Sequence, residues 1–295
     1  MTMTAASRAR MFIMLGLLPA LLIYLVFVVI PVIWSSYYGL FSWKGMGDMK
    51  FIGLKNYIEV LSDPIFWGSF RNNLYIVAYS VFGQVPIALL LALLLVRNRW
   101  FEKFIRASVF MPMVLSSVVI GLVWGYIYHP QIGILNFLLD SLGLSSWKLG
   151  WLSDPKVAML SIGPPIIWSN IGPYLILFIA ALQNIPSEVN DAAKLDGAEG
   201  WKKLSLITLP MIWGMIKVAV ILCISGSLKA FDLIFIMTHG GPAHSTELLA
   251  TYMYNNTFNI FRYGYGSAVS TSIVILSLIL IVVSQLLMNR KKDAL

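Results

Sequence analysis

Long uncharged apolar runs alternate with short charged stretches along the whole chain. No Asp, Glu, Lys or Arg occurs between Arg10 and Lys44, Arg71 and Arg97, Arg106 and Asp140, Lys156 and Glu188, or Arg262 and Arg290. Each of these windows exceeds the ~20 apolar residues that a helix needs to cross a bilayer. Together with a less clean window near 208–237, they predict six spans, at about 11–34, 70–96, 107–128, 157–182, 208–237 and 265–288. The pattern is that of an all-α polytopic membrane protein.

Composition agrees and removes other classes. Only 12% of residues are charged, against about 25% in soluble domains, and the mean hydropathy is +0.81. Arg8 and Arg10 before an apolar run resemble a signal peptide. That run is longer than the roughly 7–15 residues of a signal core, and no small-residue cleavage site precedes Pro31, so an uncleaved first helix is expected. Orientation follows the basic residues. With both termini inside, Arg8, Arg10, Arg97, Arg99, Lys103, Arg106, Lys194, Lys202, Lys203, Arg290, Lys291 and Lys292 share the cytoplasmic side. Lys44, Lys50, Lys55, Arg71, Lys148, Lys156 and Arg262 collect outside, fewer and farther from the span ends. The net charge of +8 then fits loops beside anionic lipid headgroups rather than nucleic acid. The lone Cys223 cannot form an intrachain disulfide and reads as a small apolar residue within a span.

Within the spans, polar and helix-breaking residues mark positions of interest. Span four carries GPPIIWSNIGPY (163–174), whose three prolines remove helix hydrogen bonds. Such a span is expected to be internal and kinked, because lipid cannot satisfy freed carbonyls. Gly121 and Gly125 in span three form a small-xxx-small pair suited to close helix packing. Span five contains Lys217, Lys229 and Asp232. Charges at mid-bilayer cost about 2.5–3.5 kcal/mol on insertion scales and so face a bundle interior or water. Ser225, Lys229 and Asp232, spaced i, i+4, i+7, fall on one helix face, and Lys229 can pair with Asp232. The stripe suits either a cavity for a hydroxylated substrate or a structural ion pair. Asn170, Tyr174 and Ser227 join it as candidate pathway residues. Trp43, Trp67, Trp147 and Trp151 in the outer loops serve as interface anchors or as sugar contacts.

Several chemistries are missing. There is no G-x-x-x-x-G-K-[ST], so the chain cannot cradle ATP phosphates itself, and no H-E-x-x-H. His129, His239 and His244 fall in outer loops without metal-site spacing. GYGSAV (264–269) lacks the third glycine of a dinucleotide fingerprint. No enzyme, metal site or cofactor is expected in this chain.

One hydrophilic stretch interrupts the pattern, NIPSEVNDAAKLDGAEGWKKLSLITLP (184–210). Pro186 ends the preceding segment, Ser187 is a candidate N-cap and Glu188 suits the positive end of a helix. Gly197 can stop that helix in the left-handed conformation. A second helix is expected from about Ala198, with Trp201, Leu204 and Ile207 as its apolar stripe. The result is a helix–turn–helix on the cytoplasmic surface, a knob suited to a groove in a partner.

This stretch resembles the EAA loop of ABC importer permeases, roughly E-A-A-x-x-D-G-A followed by an L-P pair. Asp191-Ala192-Ala193, Asp196-Gly197-Ala198 and Leu209-Pro210 match in order and spacing, with Asp191 in place of the usual Glu. Two further segments resemble the carbohydrate, maltose-type branch: FIGLKNYIEVLSDPIFWGSFRNN (51–73) and MTHGGPAHSTELLATYMYNNTF (237–258). The resemblance implies a type I permease fold of six helices with cytoplasmic EAA coupling helices. It divides the chain into 1–69 (tail, first span and outer loop), 70–288 (permease domain with its EAA loop at 184–210) and a cytoplasmic tail, 289–295. It further implies a second permease, two ATP-binding subunits that hold ATP and Mg and dock at the EAA loop, and an extracytoplasmic sugar-binding protein. The setting would be a prokaryotic plasma membrane and the cargo an oligosaccharide or related sugar. A non-sugar solute such as glycerol phosphate, an ion-coupled secondary transporter using Asp232, and a receptor-like scaffold without transport are the alternatives.

Overall fold

The computed structural model describes residues 5–97 and 102–290, and among them the chain is mostly helical. Helix α1 (Ala5–Tyr24) passes through a π turn at Leu25–Val29 into α2 (Ile30–Tyr38). A short hairpin pairs β1 (Phe41–Ser42) with β2 (Lys50–Phe51), Phe41 opposite Phe51, and leads to α3 (Lys55–Ser62). Helix α4 (Pro64–Tyr79) continues through a second π turn, Ser80–Gln84, into α5 (Val85–Arg97). Then come α6 (Glu102–Val114), α7 (Ser117–Ile127), α8 (Ile134–Ser141) and the long α9 (Ala158–Gln183). The hydrophilic stretch forms α10 (Ser187–Leu195) and α11 (Gly200–Lys203), followed by a π turn at Leu204–Thr208 and α12 (Leu209–Met211). The chain ends with α13 (Trp213–Leu228), α14 (Asp232–Thr238), α15 (Leu249–Tyr254), a π turn at Asn255–Asn259 and α16 (Tyr263–Arg290).

Four helical runs are long and apolar enough to cross a membrane: Gly16–Tyr38, Pro64–Leu95, Ala158–Gln183 and Tyr263–Met288. The expected third and fifth spans are instead bent pairs. Ala107–Val114 meets Ser117–Ile127 at 112°, and Gly200–Met211 meets Trp213–Leu228 at 69°. The breaks that the prolines of span four predicted therefore occur in its neighbours, while α9 runs unbroken through Pro164, Pro165 and Pro173. Side chains supply donors within α9: the Ile166 carbonyl accepts from Gln84 Nε2 and from Asn170 Nδ2, each at 3.0 Å. With 44% of its window buried, α9 is the most enclosed of the four runs, as expected for an internal span. The bend before α7 is made by Ser116, in extended conformation, whose Oγ accepts the Val119 amide at 3.3 Å. Of the basic residues used for orientation, Arg99, Lys291 and Lys292 lie outside the described residues, as does the tail from residue 291.

The chain forms two compact units, residues 1–63 with 253–274, and 64–252 with 275–295. In the first, the outer segment is held by side chains on carbonyls. Asn56 Nδ2 reaches the carbonyls of Gly39 and Phe41, both at 2.9 Å, and Tyr57 donates to Ser36 O at 2.8 Å. Arg262 pairs with Glu59 at 2.6 Å, and Tyr265 Oη donates to Asp63 at 3.1 Å. Ser36 and Thr271 join their helices at 3.2 Å. Gly264 and Gly266 are glycines for packing: a Cβ on either would collide with Phe41 O or Thr257 Oγ1.

The core of the second unit lies where α5, α9 and α13 meet. Val85, Ala88, Ala92 and Leu95 pack on Ile171, Leu175, Phe178 and Ile179, with Ala219 and Cys223 closing the cluster. Ala88 and Ala92 are fully buried, a small-xxx-small pair one turn apart that lets two helices approach. Gly121 serves the same purpose against α14, since its Cβ would stand 2.6 Å from Ile236 Cγ2. Gly125 has nothing within 4 Å and does not share that role.

Candidate functional site

The second unit contains a half-open cavity of about 340 Å³ at the level of the helix breaks. Its walls come from the Ser80–Gln84 π turn, the α6–α7 bend, the middle of α9 and the α13–α14 junction. A π turn holds one extra residue in the helix and often occurs at functional sites. Here it turns Ser80 and Gln84 toward the neighbouring helices. Ser227 Oγ donates to Cys223 O at 2.7 Å and lies 3.0 Å from Ser80 Oγ, and Cys223 Sγ lies 3.7 Å from both Ser80 O and Gln84 Oε1. Asn170, Tyr174, Ser227, Lys229 and Asp232 all line the cavity.

Ser225 does not line it, and the expected i, i+4, i+7 stripe is broken. Helix α13 stops at Leu228; Lys229 caps it, Phe231 leaves the helical region at φ −143° and ψ −62°, and Asp232 starts a new helix. Without a continuous helix the spacing no longer puts 225, 229 and 232 on one face, and Ser227 takes the place assigned to Ser225. The expected Lys229–Asp232 pair is also missing: among the described residues neither is in an ion pair. Each instead sits at a helix end of favourable sign, Lys229 at a C-terminus and Asp232 in a first turn.

Sequence reasoning missed Ser80, Gln84, Ser117 and Ser169, because a search for charge passes over neutral polar residues in apolar runs. The signal was there in SVFGQVP, where a serine and a glutamine four residues apart interrupt an otherwise greasy helix.

Two segments that resemble the carbohydrate branch meet in this unit. Asn72 Nδ2 donates to Glu247 O at 2.9 Å, and Asn73 Oδ1 accepts the Leu249 amide at 2.9 Å. Gly240 sits at φ +85°, and Glu247, almost wholly buried, bonds His244 Nδ1 at 2.5 Å. In the loop between α7 and α9, Trp151 donates to Asn136 Oδ1 at 2.8 Å and stacks on Tyr128, so it braces the loop, whereas Trp147 is exposed. The Asp140 carboxyl beside it is held below the ordinary carboxylate range by the Ser145 hydroxyl first and by Lys148 second.

The hydrophilic stretch forms the expected helix–turn–helix. Gly197, at φ +67°, ends α10. The Ala198 amide bonds Ala193 O at 2.8 Å and the Gly197 amide bonds Lys194 O at 3.1 Å, the pairing of a Schellman cap. Ser187 is not the N-cap; Pro186 holds that position without a side-chain bond. The second helix starts at Gly200, two residues later than expected, after Glu199 in extended conformation. Asp191 pairs with Lys194 at 3.1 Å on the exposed surface. Ala193 is buried, Ala192, Asp196 and Gly197 are exposed, and Ala198 is half-buried. Leu195 and Trp201 stand 89% and 76% exposed, so the apolar stripe faces outward at Trp201. Beside them a hollow of about 680 Å³ opens between the knob and the ends of α5 and α9.

The sequence model for inner membrane components of binding-protein-dependent transport systems matches residues 84–292. The chain is 38% identical to a probable ABC transporter permease of Pyrococcus horikoshii over 92% of its own length and 93% of that protein. It is 32% identical to a lactose transport system permease of Rhizobium radiobacter, covering 89% of each chain. It is 31% identical to a diacetylchitobiose uptake permease of Streptomyces coelicolor, over 88% of this chain and 77% of the other. In fold it is similar to a chain of a bacterial ABC transporter involved in importing the acidic polysaccharide alginate, with a TM-score of 0.81 at 22% identity over 96% of both.

Proposed function

Since the chain belongs to the family of inner membrane components of binding-protein-dependent transport systems, we propose that it forms half of the translocation pathway of an ATP-driven importer for an oligosaccharide or related sugar. The observation that carries this reading is the half-open cavity that polar side chains line among the apolar helices of the second unit. Broken helices at membrane depth suit a place where water or cargo, and not lipid, meets the chain. Asn170, Tyr174, Ser227, Lys229 and Asp232 are the pathway residues of the proposal. Saccharide cargo is supported by relatives named for lactose and diacetylchitobiose. Family membership sets the ion-coupled secondary transporter aside, because these relatives are permeases of ABC systems.

In this reading the two bent pairs each count as one span, giving six, with both termini cytoplasmic in a prokaryotic plasma membrane. Asp191, Ala192, Ala193, Asp196, Gly197 and Ala198 form the coupling knob. Its exposed Leu195 and Trp201 suit a groove on an ATP-binding subunit. A second permease completes the pathway, two ATP-binding subunits hold ATP and Mg, and an extracytoplasmic sugar-binding protein delivers cargo. ATP-driven closure of those subunits would move the knobs and rock the permease pair.

Reconstitution tests the reading. The complete complex in liposomes should take up a sugar only with ATP inside and binding protein outside. Uptake by this chain alone, driven by an ion gradient without ATP, would overturn it.

A further inference from the structure

Lys229 and Asp232 are the two charged side chains lining the cavity of the second unit, among neutral polar neighbours such as Gln84, Ser169 and Asn170. Both are exposed. They are three residues apart, Lys229 capping one helix and Asp232 starting the next, and among the described residues neither is in an ion pair. An ammonium that only donates and a carboxylate that only accepts thus line one half-open cavity, with their charges summing to zero. An uncharged polyol satisfies both at once, accepting from Lys229 and donating hydroxyls to Asp232. A ligand with one net charge cannot. An anion on Lys229 leaves Asp232 facing a like charge, and a cation on Asp232 does the same to Lys229. The like charge left facing the ligand repels it.

We propose that Lys229 and Asp232 act as a charge filter that admits uncharged saccharides and rejects both uronates and amino sugars. The inference rests on the saccharide reading above and adds a selection that the chain itself enforces, separate from the binding protein.

The test is equilibrium binding of saccharides to the permease complex in lipid nanodiscs, without the binding protein. Uncharged di- and trisaccharides are compared with their uronate and their 2-amino counterparts. The wild type should favour the uncharged set by about tenfold or more over either charged set. Asp232→Asn should raise uronate binding at least tenfold relative to the uncharged set, and Lys229→Gln should do so for the amino sugars. The partner permease is constant throughout, so the difference belongs to these side chains. Relative affinities within twofold of the wild type in both variants would overturn the filter while leaving the saccharide reading intact. Failure of every saccharide to bind any form would remove the saccharide reading and the filter with it.

Discussion

At the scale of single residues, the glycines divide by what surrounds them. Gly121 fails as leucine: its Cβ would already stand 2.6 Å from Ile236 Cγ2, and overpacking of this kind costs about 1–3 kcal/mol. The Gly121→Leu chain should lose thermal stability by several degrees in a fluorescence melt, whereas Gly125→Ala, in open space, should melt like the wild type. Gly197 carries a different constraint. Nothing crowds it, but its φ of +67° costs a residue with a Cβ roughly 1–2 kcal/mol. Gly197→Val should therefore leave the membrane helices folded and reduce ATP-dependent uptake severalfold. Unchanged uptake would argue against the coupling role. Asp140 gives a third case. Its carboxyl titrates below its ordinary value because Ser145 and Lys148 hold the charged form. The contacts thus favour the folded loop above the ordinary carboxylate pKa and are lost as pH falls through the depressed one. In Ser145→Ala the midpoint, read from the carboxyl carbon shift, should move upward toward that ordinary value.

Elements were legible in the sequence where hydrophobic pattern decides them, and less so where a side chain overrides it. The apolar windows locate α1–α2, α4–α5, α9 and α16 to within about six residues, and Gly197 marks the end of α10 by backbone conformation alone. The breaks are another matter. Three prolines make α9 the natural place for a break, yet it runs as one helix, while the chain bends by 112° and 69° beside Ser116 and Ile212, unremarkable in the sequence. Spacing alone treats the α13–α14 junction as one helix and so puts Ser225 in the stripe, whereas of the two serines only Ser227 lines the cavity. The cavity depends on side chains from distant helices meeting at such junctions, and one-dimensional spacing does not record that. Ser116 offers a test at this scale. Ser116→Ala removes the acceptor for the Val119 amide and should weaken the start of α7 by about 1 kcal/mol, seen as faster amide exchange over 117–120.

For the molecule as a whole, polar side chains do in the membrane what loops do in soluble proteins. Asn72 and Asn73 reach across to the 247–249 backbone, and Gln84 reaches the α9 backbone. Each ties a helix to a main-chain group instead of to another side chain, so the assembly is pinned at fixed points along otherwise greasy surfaces. Replacing Asn73 by Leu would strand the Leu249 amide, and a buried group left unpaired costs about 1–3 kcal/mol. Asn73→Leu should lower the yield of folded protein extracted from membranes, as measured by gel-filtration recovery, more than the same change at the exposed Asn259.

The π turn at Ser80–Gln84 bears on how the chain tolerates changes of length. Deleting one residue there would restore an ordinary α-helix, a gain if backbone regularity were all that counted. Each residue in an α-helix, however, turns the chain by about 100°. A deletion outside the π turn would therefore swing Ala88 and Ala92 off α9, whereas one inside it removes only the extra residue and changes how Ser80 and Gln84 face the cavity. Between Asn73 and Ala88 the packing therefore tolerates a one-residue loss only within Ser80–Gln84, and other length variation among related chains is expected in the loops around 143–157.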